Sequence, residues 1–337
     1  MEFLTDYGLF LAKTLTIVIA LVAAVAATMA VVSRQKQDAR DALKIRKIND
    51  KYEDMAYTLK QEILDKNALK QLSREYKARR KKKPGTEQRE RVYVLNFEGD
   101  IKASAVSSLR EEITAILTVA RPGDAVFLRL QSGGGMVHSY GLAASQLMRI
   151  REKNIPLTIA VDKIAASGGY MMACVADRIL AAPFAILGSI GVVAQIPNFN
   201  RLLKKHDIDL ELITAGEYKR TLTLFGENTD KARRKFSEDI ADTHELFKQF
   251  IMDNRPVVDI EKVATGEHWF GTRARDLKLV DELKTSDDWL LEQSKDKDLY
   301  EITYRGRRPL MARLFSGMES LMERTAWWDK GNMQRFM

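Results

Sequence analysis

Ala125-Val126-Phe127-Leu128-Arg129-Leu130-Gln131-Ser132-Gly133-Gly134-Gly135 is an apolar, strand-like run that empties into a serine and three glycines. The same design recurs downstream, where Pro156-Leu157-Thr158-Ile159-Ala160-Val161 reads as a strand and is followed by Ala165-Ala166-Ser167-Gly168-Gly169-Tyr170. Between the two glycine turns a helix runs through Leu142, Leu147 and Ile150. Upstream, Val92 to Phe97 is a strand, and Ser107 to Ala120 is a helix with Leu109, Ile113 and Leu117 on one face. Strands alternating with helices imply an α/β fold with a parallel-sheet core and helices covering it. Ligands in such sheets sit beyond the carboxyl ends of the strands, and both glycine turns fall there.

The last third is helical: Asp230 to Asn254, a shorter helix near Asp259 to Ala264, and Ser286 to Gln293, with a short strand near Tyr300 to Tyr304. The final residues, with Trp327 and Trp328, read as an amphipathic tail. At the other end, Thr14 to Val32 is a charge-free stretch rich in Val, Ala, Ile and Leu. At about 1.5 Å per residue it reaches roughly 28 Å, enough to cross the hydrocarbon core of a bilayer. A cleaved signal peptide would lead with basic residues, whereas Glu2 and Asp6 precede this stretch, with Lys13 as the one cation. A retained membrane anchor is the reading. A second uncharged stretch, Ile179 to Asn200, contains Pro183, Gly188, Gly191 and Pro197 and reads as buried strands and turns.

The net charge of +8 is concentrated, because residues 34–91 carry 19 Lys/Arg against 10 Asp/Glu while residues 92–337 balance at 34 against 34. Residues 34–83 read as a charged helical arm whose apolar stripe is Ile45, Ile48, Tyr52, Met55, Leu59 and Ile63. The run Arg79 to Lys83 ahead of Pro84-Gly85 suits a solvated linker or anionic lipid headgroups, and no aromatic interleaving points to nucleic acid. By the positive-inside rule the residues after the anchor lie in the cytoplasm. A single cysteine, Cys174, excludes an intrachain disulfide framework. Four scattered histidines exclude a metalloprotease H-x-x-x-H pair, and no cofactor is expected.

Three residue sets could carry chemistry. Ser167 follows a strand and precedes Gly168-Gly169 and an apolar helix, whose first amides lack intrahelical partners and suit a developing oxyanion. The plainer alternative is an ordinary serine N-cap. The turn at Ser132 to Gly135 can form an anion-receptive nest, but neither a Walker motif nor a dinucleotide fingerprint is present. A serine nucleophile needs a base, and a lysine serves only if burial lowers its pKa: at about 10.4, roughly one amine in 2,500 is neutral at pH 7. Lys219, after Leu210 to Ile213 (read as a strand) and Thr214-Ala215-Gly216-Glu217-Tyr218, is one candidate among many lysines.

Ser132-Gly133-Gly134-Gly135, Ala165 to Tyr170, Gly188-Ser189-Ile190-Gly191-Val192 and Ala215-Gly216-Glu217-Tyr218-Lys219-Arg220 together resemble the signal peptide peptidase A family. The similarity is to its SohB branch of membrane-anchored serine proteases and runs from about Arg91 to Leu283. The resemblance implies Ser167 as nucleophile, Lys219 as general base, Ser189 as the hydroxyl that orients the lysine, and Gly134 with Gly168 as oxyanion-hole donors. Gly133 stands where the family usually has proline. It further implies a ClpP/crotonase-like domain acting on peptide or unfolded polypeptide substrates, signal peptides among them, within a ring-shaped homo-oligomer at the bacterial inner membrane. In such rings serine and lysine can come from neighbouring protomers. Family members with outward-facing catalytic domains conflict with the basic flank. The division expected is 1–33 membrane anchor, 34–90 basic helical arm and linker, 91–300 Ser–Lys protease domain and 301–337 tail. The rival readings are a crotonase-like acyl-thioester enzyme and a non-catalytic membrane scaffold. His138 reads as a helix-start surface residue, with lining of the substrate groove as the alternative. Arg220 either helps lower the pKa of the neighbouring lysine or faces solvent. Tyr170, Met171, Met172 and Cys174 read as core.

Overall fold

The computed structural model describes residues 8, 10, 13–22, 42–81 and 89–305. The chain divides into two units, residues 44–303 and the two termini, 1–43 with 304–337. The sheet of the larger unit is built from β1 (Ala42–Lys47), β2 (Arg91–Gly99), β3 (Ala125–Ser132), β4 (Leu157–Val161), β5 (Ile164–Ala166), β6 (Arg178–Ala181), β7 (Ile186–Gly188), β8 (His268–Phe270), β9 (Glu282–Leu283) and β10 (Asp298–Arg305). Its main path runs β1-β10-β2-β3-β4-β6-β9, and the pairs from β10 to β9 are parallel. The fold is mixed α/β with a mostly parallel sheet, as the alternation of strands and helices implies.

The core follows from the two-residue period of the strands. Tyr93, Leu95 and Phe97 of β2 pack with Val126, Leu128 and Leu130 of β3 under the helices. Val92 and Val94 face the other way with Phe127, Ala160 and Leu180, and meet Trp289 and Leu290 of the helix Ser286–Gln293. The Trp289 ring stacks on Phe127 at 4.3 Å between centroids. Burial on both faces explains why β2 and β3 read as near-continuous apolar runs. Leu109, Ile113 and Ile116, one turn apart, hold the helix Val106–Val119 on the first face. The helix Asp230–Asn254 begins where the Thr229 hydroxyl accepts from the Ala232 amide at 3.2 Å.

One buried carboxylate fixes how β2 and β3 start. Asp124 accepts from the Arg91 guanidinium at 2.6 Å, from the Arg91 amide at 3.2 Å and from the Arg121 amide at 2.9 Å. Burial pushes this carboxyl upward, but the Arg91 and Arg121 bonds outweigh it and hold it below its usual range.

Three expectations need correction. The apolar stripe of the arm does not begin in a helix, because Ala42–Lys47 is strand β1, beside β10. Arg46 and Lys47 pair there with Glu301 and Asp298 at 2.6 and 2.9 Å. Helix starts at Ile48, where Asn49 donates to the carbonyls of Ser294 and Lys297 and accepts from the Leu299 amide. Two helices follow, Ile48–Ile63 and Lys66–Lys81, whose Tyr57 and Tyr76 rings stack at 4.3 Å. The strand expected near the C-terminus is longer, Asp298–Arg305, and its first residues, Asp298 to Glu301, are in register with β2 from Arg91 to Val94. Leu210 to Ile213 forms no strand, because no neighbouring strand pairs with it.

Among the described residues no helix is long and apolar enough to cross a membrane. Residues 13–22 are helical, and the remainder of the expected anchor, 23–32, lies outside the described residues, as do the basic linker from Lys82 and the tail with Trp327 and Trp328.

Candidate active site

Two short strands carry the chain from the main sheet to the site. β5 leaves the end of β3, where Ser132 pairs with Ala165, and β7 pairs with β5 so that Ala166 lies beside Gly188. All three are parallel, so the turns after Ser132, Ala166 and Gly188 gather at one edge. Ser167 and Ser189 are consequently neighbours in register, and the Ser167 amide donates to the Gly188 carbonyl at 2.8 Å. Gly188 (φ +96°) has no space for a side chain, since a Cβ there would lie 2.7 Å from the Trp269 ring of β8.

Ser167 has φ +52° and ψ −120°, a conformation that L-residues avoid, at a cost of about 1–3 kcal/mol. It occupies the N-cap position of the helix Gly168–Ala173, yet its side chain makes no cap hydrogen bond. Thr229 and Thr285 at the same position of their helices do cap, each accepting an amide at 3.2 Å. Ser167 is thus not an ordinary N-cap: its hydroxyl makes no hydrogen bond to the helix it precedes.

The glycine turn lies against this serine. A Cβ on Gly134 (φ +89°) would sit 2.7 Å from both the Gly168 nitrogen and the Ser167 Cβ. On Gly169, a Cβ would be driven into the Ser132 carbonyl. The sequence-assigned pair, Gly134 and Gly168, is therefore brought together with Ser167. The Gly134 amide, however, donates to Ser132 Oγ at 3.1 Å. Gly168 stands at the first helical position, where an amide has no acceptor inside the helix.

Ser189 also has positive φ, +50°, and its amide donates to the Glu267 carbonyl at 2.6 Å. Lys219 does not join the cluster within one chain. It is exposed, its amide closes a turn onto the Gly216 carbonyl, and among the described residues no hydrogen bond links it to Ser167 or Ser189. Residues 204–220 are exposed throughout, including Leu210, Leu212, Ile213 and Tyr218. Arg220 and His138 are exposed too.

The ionisable groups on and beside the helix Gly168–Ala173 are shifted upward by burial. The Tyr170 phenol is pushed well above its usual range and donates to the Leu279 carbonyl at 3.1 Å. The Cys174 thiol is pushed up to about 12. Among the described residues no cluster of His, Cys, Asp or Glu could hold a metal ion.

Sequence reasoning assigned no role to Tyr140 or to the Ser132 hydroxyl. Ser132 Oγ and Tyr140 Oη lie 2.6 Å apart, and Tyr140 donates to the Asp100 carbonyl at 2.7 Å. The serine that opens the glycine turn was a visible signal. Tyr140 gave none, because its partners Asp100 and Gly168 are far away in sequence.

The sequence matches the peptidase family S49 N-terminal domain over residues 2–147 and peptidase family S49 over residues 149–300. It is 49% identical over 323 residues to a Haemophilus influenzae protein named probable protease SohB, covering 92% of this chain and 91% of that one. A Buchnera aphidicola (subspecies Schlechtendalia chinensis) protein of the same name is 49% identical over 306 residues, 87% of this chain and 100% of its own. Another, from Buchnera aphidicola subspecies Acyrthosiphon pisum, is 47% identical over 330 residues, 96% and 97% of the two chains.

Proposed function

This chain belongs to peptidase family S49, in its SohB branch, and we propose that it is a membrane-anchored serine endopeptidase with Ser167 as nucleophile and Lys219 as general base. The observation that carries the reading is the backbone of Ser167, held at φ +52° with its hydroxyl uncommitted to the helix it precedes. Strain of this kind persists where the surroundings over-determine it, and it presents a side chain that a relaxed turn would fold away.

In the proposed cycle the neutral Lys219 amine takes the Ser167 proton as Oγ adds to the scissile carbonyl. The oxyanion is received by the Gly168 amide and by that of Gly134, which would share its proton between Ser132 Oγ, 3.1 Å away, and the oxyanion. The ammonium then protonates the leaving amine, and water releases the acyl group, giving its proton to the same lysine, which returns it to Ser167 Oγ as the acid product departs. Ser189, one register step from the nucleophile, orients the amine.

Lys219 needs shelter from water to be neutral at physiological pH, and its own chain leaves it exposed. Leu210, Leu212, Ile213 and Phe225, neighbours of Lys219 in sequence, are exposed apolar side chains that a second copy of the chain would cover. We therefore read the active form as a homo-oligomer of ClpP/crotonase-like protomers, with lysine supplied by the same or the adjacent chain. The substrate class is extended peptide, signal peptides and membrane-associated polypeptides included, with the stretch Thr14–Val32 anchoring the enzyme in the inner membrane. Peptide hydrolysis by Ser167→Ala and Lys219→Ala tests the assignment: both lose turnover, and undiminished hydrolysis in either removes that residue from the mechanism.

A further inference from the structure

Tyr140 lies on the helix Val137–Glu152, fully buried, and touches the turn at Gly168, the glycine turn at Ser132 and the chain after β2 at Asp100. Its side chain packs against Gly168, so closely that a Cβ there would come within 2.7 Å of the ring carbon Cδ2. Its hydroxyl reaches the ends of β2 and β3, where Gly99 pairs with Ser132. A Cβ on Gly99 would lie 2.5 Å from Ser132 Oγ and collide with the Tyr140 hydroxyl as well. The hydrogen bonds run one way. The Tyr140 proton goes to the Asp100 carbonyl at 2.7 Å, so the Ser132 hydroxyl, 2.6 Å from Tyr140 Oη, donates to it. Ser132 Oγ is then free to accept the Gly134 amide at 3.1 Å. Burial pushes the phenol above its ordinary value, so it remains a donor at neutral pH.

We infer that Tyr140 is a positioning residue for hydrolysis: its ring sets the place of the Gly168 amide, and its hydroxyl, through Ser132, sets the direction of the Gly134 amide. Resting on the proposed serine mechanism, this makes one side chain responsible for the spacing of the two oxyanion donors, which belong to turns more than 30 residues apart. Such spacing matters only when the carbonyl becomes tetrahedral, so its loss should weaken transition-state binding and spare ground-state binding.

The test compares a peptide aldehyde, which Ser167 would convert to a hemiacetal bearing the oxyanion-like oxygen, with the matching peptide alcohol, which forms none. Tyr140→Phe keeps the ring and removes the hydroxyl, and Ser132→Ala removes the link. Both are expected to weaken aldehyde binding and lower kcat roughly 10- to 100-fold. KM and alcohol affinity should stay within about twofold, a split that loss of folded protein would not produce. The double variant should be no worse than the more damaged single variant, because both act on one relay. Unchanged aldehyde affinity in the variants, with hydrolysis lost in Ser167→Ala, would overturn the inference and leave the nucleophile in place. Tighter aldehyde binding in Ser132→Ala would also overturn it, by showing that the relay withholds the Gly134 amide. Retained hydrolysis in Ser167→Ala would bring down the serine mechanism itself, and this inference with it.

Discussion

The Ser167 amide donates to the Gly188 carbonyl at 2.8 Å, and this one bond fastens the Ser167 turn to the turn that carries Ser189. It also accounts for the strained Ser167 backbone: with β5 and β7 in parallel register as far as Ala166 and Gly188, the next residue must turn sharply to start a helix. The site is thus made by the sheet and depends on tight packing between glycine main chains.

Gly134→Ala tests that packing. Its φ of +89° is unfavourable for alanine, and the new methyl would sit 2.7 Å from Ser167 Cβ and Gly168 N. The variant should lose about 1–3 kcal/mol of stability by denaturant titration and about 100-fold in kcat/KM.

The buried Asp124 predicts an acid dependence. Its carboxyl is depressed in the folded protein, so the stability it contributes is full above the unfolded value of about 3.9 and is lost as pH falls through the lower folded value. Asp124→Asn should cost about 1.5–3 kcal/mol at pH 7. The gap between the two proteins should narrow below about pH 4 in urea melts repeated across pH.

Cys174, fully buried with its thiol pushed up to about 12, should resist an aromatic disulfide reagent at pH 8 in the folded protein. One equivalent should react at once in denaturant, since the sequence has one cysteine. Rapid reaction without denaturant would show that the helix Gly168–Ala173 opens locally.

Ile213 is 91% exposed, so Ile213→Asp should leave the fold of the protomer intact. If a second copy covers this surface, the substitution shifts sedimentation to smaller species and lowers hydrolysis in parallel. Full activity in dissociated protomers would remove assembly from the account.

What could be read in the sequence was what neighbours in sequence decide. The helix Asp230–Asn254 was legible to its ends because Thr229 caps it and its apolar residues recur at helical spacing. β2, β3 and β4 were legible because burial on both faces makes them continuous apolar runs. β1 was not, because Ile45 and Ile48 keep a helical spacing across a strand-to-helix junction, and the strand's partner β10 lies some 250 residues on. At the site, Ser167, Gly134 and Gly168 announced themselves through glycine turns at strand ends, and the structure packs them together. Tyr140 acts through the tertiary approach of two glycines, which leaves no periodic trace. The surroundings of Lys219 are not encoded locally either, since its own segment offers no shelter.

The central claim is that Ser167 carries the acyl group. Acid-quenching the full-length protein during turnover of an activated peptide ester, then cleaving it with trypsin, isolates residues 164–178, which hold Ser167, Tyr170 and Cys174. The account predicts the acyl mass on Ser167, and its disappearance in Ser167→Ala together with turnover. Acylation at another residue, or continued turnover by Ser167→Ala, would contradict it.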